Sequence, residues 1–144
     1  MITRSPAETR AAGQAFARQL QAGDVVLLEG PLGSGKTLFV QGIAEGLGAS
    51  ALVTSPSFVL LQEYPLSAER VLRHLDLYRL HDPTVDLDRL GLPELLADPQ
   101  AITVVEWADR MPVEALAKES RRVHVRFEHG QRENERTLDI DRPQ

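Results

Sequence analysis

The stretch that decides the fold is DVVLLEGPLGSGKTLFVQGIAEGLG, residues 24–48. It opens with a short, almost wholly apolar run (24–30), which is typical of a strand covered on both faces. It closes with a segment (35–48) in which Phe39, Ile43 and Leu47 recur at helical spacing. Between them, GPLGSGKT matches the phosphate-loop pattern G-x-x-x-x-G-K-[ST]. A strand, a glycine-rich turn and a helix in this order predict an α/β fold that binds phosphate.

Each part of the loop has a chemical task. The glycines, beginning with Gly30, let backbone N–H groups turn inward around phosphate oxygens. Lys36 is predicted to reach the β- and γ-phosphates of a nucleotide, and the hydroxyl of Thr37 to bind Mg²⁺. The helix that begins at Gly35 directs its positive end at the same charge.

Two acids stand at the ends of predicted strands. ITVVE places Glu106 after four strand-forming residues, and VLRHLD places Asp76 after a more polar strand. An acid at the tip of a neighbouring strand holds Mg²⁺ in phosphate-loop enzymes, so we assign Glu106 to the metal, directly or through water. His74, Asp76 and Tyr78 share one strand face. Asp76 is therefore expected to polarise an attacking water or to bind the metal shell; a structural His–Asp–Arg network is the alternative.

SPSF (55–58) follows the helix of the phosphate loop. A loop at this place can sense the γ-phosphate, and Ser55 and Ser57 offer hydroxyls for that purpose. An ordinary Ser-Pro surface turn is the alternative reading.

The flanking segments complete the predicted fold. Ser5, Pro6 and Glu8 form a helix start with a capping box, and Gly23 is the predicted stop. Residues 82–100 are predicted to form one or two short helices broken at Pro93. The tail alternates apolar and polar residues on both sides of a turn near 130–134, which predicts a hairpin. We therefore expect one domain over 1–144: a three-layer α/β sandwich with a mixed central sheet and a C-terminal antiparallel hairpin.

Composition limits the partners and the compartment. The chain has no cysteine and a net charge of −5, which disfavours tight binding of nucleic acid by the chain alone. It has no apolar run near the roughly 20 residues of a membrane helix, and its N-terminus does not resemble a signal peptide. We expect a cytoplasmic protein without a membrane association.

Taken together, these motifs resemble the TsaE family of bacterial ATPases, which act in threonylcarbamoyladenosine synthesis on tRNA. The resemblance covers nearly the whole chain in order. It runs through Thr9 and Gly13, the loop GPLGSGKT, SPSF, HLDLYR (74–79), Asp82-Pro83, LGL (90–92) and VVEW (104–107). HLDLYR and VVEW discriminate far better than the phosphate loop does.

The resemblance implies a function beyond phosphate binding. The modified adenosine would lie next to the anticodon in tRNAs that read codons beginning with A. The family binds ATP with Mg²⁺, hydrolyses it slowly alone, and docks on the TsaD–TsaB pair, which it resets between turnovers; TsaC supplies threonylcarbamoyl-adenylate. The chain would contact tRNA only through that complex.

The resemblance also implies roles for single residues. Thr37 and Glu106 match the Mg²⁺ ligands, Asp76 the acid of hydrolysis and Trp107 a functional tryptophan. Residues matched to the phosphate contacts are Gly33, Ser34, Gly35, Lys36, Thr37 and Leu38. Residues matched to the adenine and ribose region are Pro6, Gln131 and Arg132. Residues matched to switch or partner contacts are Ser55, Ser57, His74, Tyr78, Arg79 and Trp107. The chain departs from the family at Pro31, Ser57 and Ala108, and Pro31 offers no N–H to a ligand.

Other classes of phosphate-loop protein fit less well. A small-metabolite kinase needs an acceptor pocket and a lid with arginines, and no long insertion follows Glu106. A GTPase would carry N-K-x-D and D-x-x-G, and neither string occurs. A module that binds ATP without hydrolysing it has the same sequence pattern as a slow ATPase.

Overall fold

The computed structural model describes residues 1–49, 61–77, 91–110 and 121–141. Four of the predicted switch or partner residues, Ser55, Ser57, Tyr78 and Arg79, lie outside these ranges. The elements in chain order are β1 (Ile2–Thr3), α1 (Pro6–Ala17), β2 (Val25–Glu29), α2 (Lys36–Gly46), β3 (Leu61–Pro65), β4 (Val71–Asp76), α3 (Leu92–Leu96), β5 (Ala101–Glu106), a 3₁₀ turn (Ala108–Arg110), β6 (Arg122–His129) and β7 (Arg136–Asp141).

One mixed sheet of seven strands joins all the described ranges, in the order β1-β7-β6-β2-β5-β4-β3. The four central strands β6, β2, β5 and β4 are parallel, while β3, β7 and β1 are antiparallel additions at the edges. In the parallel part, Glu106 lies opposite Leu28 on one side and Asp76 on the other. The carboxyl ends of β2, β4 and β5 therefore meet at one edge of the sheet, where α/β folds bind their ligands.

Apolar residues cover both faces of this sheet. Helices α1 and α2 pack on one face, with Phe16, Phe39 and Ile43 among the buried residues of that core. Leu96 of α3 and Ala108 of the 3₁₀ turn pack on the other face. Helix, sheet and helix form the three predicted layers, and the hairpin β6–β7 is present with the buried face formed by Val123, Val125 and Phe127. Within the described ranges, none of the helices is long and apolar enough to cross a membrane.

The predicted start of α1 is confirmed, but its predicted end is wrong. Ser5 caps α1 and accepts the backbone N–H of Glu8 at 3.1 Å. The helix ends at Ala17 rather than near Gly23, because the N–H groups of residues 18–20 bond three residues back instead of four. Residues 82–90 of the predicted helical segment lie outside the described ranges; Pro93 stands in the first turn of α3, where no intrahelical N–H bond is needed.

Helices α1 and α2 approach each other closely through glycines. A Cβ atom at Gly13 would lie 2.2 Å from the carbonyl oxygen of Phe39, and one at Gly42 would lie 2.0 Å from that of Arg10. The rings of Phe16 and Phe39 pack beside this contact at 5.4 Å between centroids. Since α2 begins at Lys36, its contact with α1 also fixes where the phosphate loop lies.

Candidate functional site

The loop between β2 and α2 is shaped by glycines with positive φ. Gly30, Gly33 and Gly35 have φ values of 152°, 74° and 97°. At Gly30 a side chain is also excluded by space, because a Cβ atom would lie 2.7 Å from the carbonyl oxygen of Phe127. At Gly33 a Cβ atom would meet no atom of the described residues within 4 Å, so this part of the chain leaves the loop open there. The glycines of GPLGSGKT thus allow a turn in which other residues would strain the backbone or collide with neighbouring atoms.

Lys36 is buried, and the protein itself holds its ammonium group. Nζ donates to the carbonyl oxygen of Gly30 and, at 3.1 Å, to that of Pro31, and it lies 3.7 Å from the centroid of the Trp107 ring. Burial lowers the pKa of Lys36, and the charges of Glu106, Asp76 and Asp109 partly oppose that shift. In the described part of the chain, no carboxylate lies within ion-pair distance of Nζ. This cation is therefore available to an anion that enters the loop.

A hydroxyl and a carboxylate meet beside the lysine. Oγ1 of Thr37 donates to Oε1 of Glu106 at 3.4 Å, and the second oxygen, Oε2, is bonded to Nε2 of His74. Glu106 and His74 are both buried, although each bears polar atoms. Asp76 is partly buried and lies next to Glu106 in the parallel register. The structure thus brings together four polar residues, from β4, β5 and the first turn of α2.

Trp107 turns the chain at the end of β5. Its φ of 60° lies in the left-handed region, which a bulky residue rarely adopts. The 3₁₀ turn Ala108–Arg110 follows at once. This reversal sets the indole ring over Lys36 instead of carrying it along the strand. Strain of this kind, about 1–3 kcal/mol, is concentrated at functional sites.

Two clefts lined entirely by described residues flank the loop. One, of about 50 Å³, lies beside the start of α1 and includes the predicted residues Gly33, Gly35, Pro6 and Leu38; its full lining is Pro6, Thr9, Gly33, Gly35, Leu38, Asn134 and Arg136. The other, of about 390 Å³, lies on the Trp107 side and is lined by Glu29, Gly30, Pro31, Trp107, Asp109, Arg126, Phe127 and Glu128.

Arg136 belongs to the smaller cleft, although sequence reasoning did not select it. Its guanidinium donates to the carbonyl oxygen of Gly33 at 3.1 Å and to those of Glu133 and Glu135 at 2.6 and 2.8 Å. Arg132, the arginine expected near the adenine, is exposed in the turn between β6 and β7 and does not line this cleft. No local motif marks Arg136, because its contact with the loop spans 103 positions of the sequence.

The residues present fit the phosphates of a nucleotide together with Mg²⁺. Loop glycines with positive φ, a buried lysine without an acidic partner in the described residues and an open cradle at Gly33 suit a polyphosphate. Hydroxyl and carboxylate oxygens are ligands that Mg²⁺ prefers, and it usually takes only one or two from the protein. Neighbouring ligands of an octahedral Mg²⁺ lie about 3 Å apart, close to the 3.4 Å between Thr37 and Glu106.

Three features define this protein as a phosphate-loop α/β protein. A loop shaped by glycines joins a buried strand to a helix, and the buried Lys36 stands at the start of that helix. The hydroxyl of Thr37 faces the carboxylate of Glu106 at the end of β5. The model of the family described as "Threonylcarbamoyl adenosine biosynthesis protein TsaE" matches residues 3–138. The chain therefore belongs to the TsaE family.

Individual relatives agree with this membership. The "tRNA threonylcarbamoyladenosine biosynthesis protein TsaE" of Bacillus subtilis (strain 168) is 42% identical over 118 residues, which are 79% of this chain and 72% of that protein. The protein of the same name from Synechocystis sp. is 43% identical over 104 residues, 69% of this chain and just under two thirds, 64%, of that protein. Among solved structures, the crystal structure of Bacillus subtilis YdiB superimposes with a TM-score of 0.74 at 34% identity, covering 97% of this chain and 82% of that one.

Proposed function

We propose that this protein is a Mg²⁺-dependent ATPase that is required for the threonylcarbamoyl modification of the adenosine next to the anticodon, in tRNAs that read codons beginning with A. The proposal rests on one observation above the others. Lys36, Thr37 and Glu106 converge at the carboxyl edge of the sheet, in a chain that belongs to the TsaE family. The names of its relatives point to threonylcarbamoyladenosine biosynthesis on tRNA, and the phosphate loop supports ATP as the ligand.

In this proposal each residue has one task. Lys36 exchanges its carbonyl and indole contacts for phosphate oxygens, and the loop from Gly33 to Leu38 offers backbone N–H groups to the same oxygens. Thr37 and Glu106 hold Mg²⁺, and Asp76, beside Glu106, orients the attacking water. ATP supplies a phosphoanhydride bond whose hydrolysis releases free energy. Pro6 and Arg136 line the smaller cleft beside the loop, and we place the base and ribose on that side.

The partners we propose are TsaD and TsaB. The chain docks on their complex, and its hydrolysis of ATP resets that complex between turnovers. The net charge of −5 supports an indirect approach to tRNA, because a chain that binds a phosphate backbone by itself is usually basic.

A reconstituted modification assay tests the proposal. Unmodified tRNA is incubated with TsaC, TsaD and TsaB, with or without this chain, under ATP or a non-hydrolysable analogue; TsaC receives the ATP it needs in a separate first step. We expect several modifications per complex with the chain and ATP, and at most one with the analogue. Glu106→Gln is the matched control, since it keeps the shape of the side chain and removes the charge that binds Mg²⁺. Equal turnover with and without the chain would contradict the proposed function.

A further inference from the structure

A buried histidine stands behind the acid that we assign to Mg²⁺. His74 lies on β4, is 0% exposed, and bonds through Nε2 to Oε2 of Glu106. The other carboxylate oxygen, Oε1, is the one that faces the hydroxyl of Thr37. One oxygen of Glu106 is thus held from inside the protein, and the other is directed at the phosphate loop.

We propose that His74 is a positioning residue for Glu106. It donates from Nε2 to Oε2 and so fixes the carboxylate in the orientation that places Oε1 beside Thr37. The inference rests on the proposed function, because it presumes that Glu106 binds Mg²⁺. It deepens that function by naming the residue that aligns the metal ligand.

The tautomer follows from the surroundings of the ring. Nδ1 of His74 is buried and, among the residues that the structure describes, has no hydrogen-bond partner. A ring protonated only on Nδ1 would bury that N–H donor without an acceptor and leave two acceptors, Nε2 and Oε2, facing each other, which is costly in a fully buried position. With the proton on Nε2, the ring donates to a carboxylate, which is the stronger kind of hydrogen bond.

The row of side chains around His74 shows that packing alone does not require a histidine. The neighbours on the same face of the sheet are Leu72 on β4 and Val104, which lies opposite His74 on β5. Both belong to the apolar core beneath α1 and α2. A leucine at position 74 would continue that row without burying polar atoms. The desolvation of the imidazole is offset by its bond to Glu106.

The strands make His74 a rigid support. Parallel pairing sets His74 opposite Val104, two residues before Glu106, so the imidazole and the carboxylate extend from adjacent positions on one face. Without the imidazole, Oε2 would be left in a buried position without this donor, and the carboxylate could rotate away from Thr37. Side chains that hydrogen-bond a metal ligand change metal affinity by about 10- to 100-fold when they are removed.

Two variants separate alignment from packing. His74→Leu fills the space and removes the donor, whereas His74→Gln keeps an N–H donor at a similar reach. Calorimetry measures the affinity for a non-hydrolysable ATP analogue in Mg²⁺ and in EDTA. The dissociation constant in EDTA divided by that in Mg²⁺ reports the contribution of the metal. We expect all three proteins to bind alike in EDTA. The ratio should fall about tenfold or more in His74→Leu and stay near that of the wild type in His74→Gln.

A second measurement uses no nucleotide. ¹⁵N–¹H correlation spectra of the histidine ring in the wild-type protein distinguish the two neutral tautomers from the doubly protonated ring. We expect a proton on Nε2 of His74; the Nδ1–H form, which has no proton to donate to Glu106, would overturn the proposal even if His74→Leu fails to fold.

The outcomes distinguish this inference from the proposed function. If the wild type responds to Mg²⁺ and His74→Leu keeps the full ratio, His74 has no positioning role and the ATPase proposal stands. If the wild type binds the analogue equally with and without Mg²⁺, the metal role of Glu106 fails, and both proposals are overturned.

Discussion

Replacing Gly42 by alanine tests whether the close contact of α1 and α2 supports the whole site. The added Cβ atom would lie 2.0 Å from the carbonyl oxygen of Arg10 and 3.0 Å from the backbone nitrogen of Gln14. Carbon and oxygen atoms in contact need about 3.3 Å, so the helices must separate by roughly 1 Å. Overpacking of this kind costs about 3 kcal/mol, and the higher helix propensity of alanine returns about 1 kcal/mol. We expect a net loss of about 2 kcal/mol or more, and a melting temperature lower by roughly 6–8 °C.

Gly48→Ala is the matched control. Among the described residues, a Cβ atom there would meet nothing within 4 Å, but the φ of 85° is left-handed, so alanine costs about 1 kcal/mol of backbone strain. Thermal melting followed by circular dichroism ranks the two variants. Because α2 begins at Lys36, Gly42→Ala should also weaken nucleotide binding, whereas Gly48→Ala should not. A Gly42→Ala protein that melts at or above Gly48→Ala would refute the claim that backbone contact limits this interface.

Three further outcomes concern the site. Lys36→Ala should weaken ATP binding about 100-fold or more, because it removes charge-assisted hydrogen bonds worth about 1.5–3 kcal/mol each; an unchanged dissociation constant by calorimetry would refute the assignment of the loop. Asp76→Ala should leave ATP binding intact and stop multiple turnover of the tRNA modification, since only the orientation of water is lost; persistent turnover would favour a structural role. The isolated chain should bind tRNA weakly in a filter-binding assay, because its net charge is −5; tight, salt-sensitive binding without partners would contradict the indirect approach to RNA.

Local patterns were sufficient where the structure depends on local chemistry. Ser5, Pro6 and Glu8 specify the start of α1 through capping, and the alternation around Val125 specifies a strand with one buried face. Apolar spacing places the end of α1 too late, because Leu20 continues the spacing and is buried, although the chain has already tightened into 3₁₀-type bonds. Apolar spacing reports burial, which is not the same property as helical hydrogen bonding.

Long-range pairing accounts for what the sequence could not predict. β1 has two residues, too few for a periodic pattern, and exists because it pairs with β7. Arg136 lies in the smaller cleft for the same reason, because it is on β7 and the pairing of that strand places its guanidinium beside Gly33. The bond between His74 and Glu106 depends on the register of β4 against β5, which neither strand encodes alone.

The ammonium group of Lys36 already has ligands, two carbonyl oxygens and an indole ring. Anion binding in this loop is therefore a ligand exchange, and an incoming oxygen must first replace contacts that the resting protein satisfies. An anion that offers only one or two oxygens to the loop gains little more free energy than the loss of those contacts costs. A longer phosphate chain recovers the difference through the successive N–H groups of the loop. On the proposed function, discrimination between inorganic phosphate and a polyphosphate would then follow from the resting contacts of Lys36.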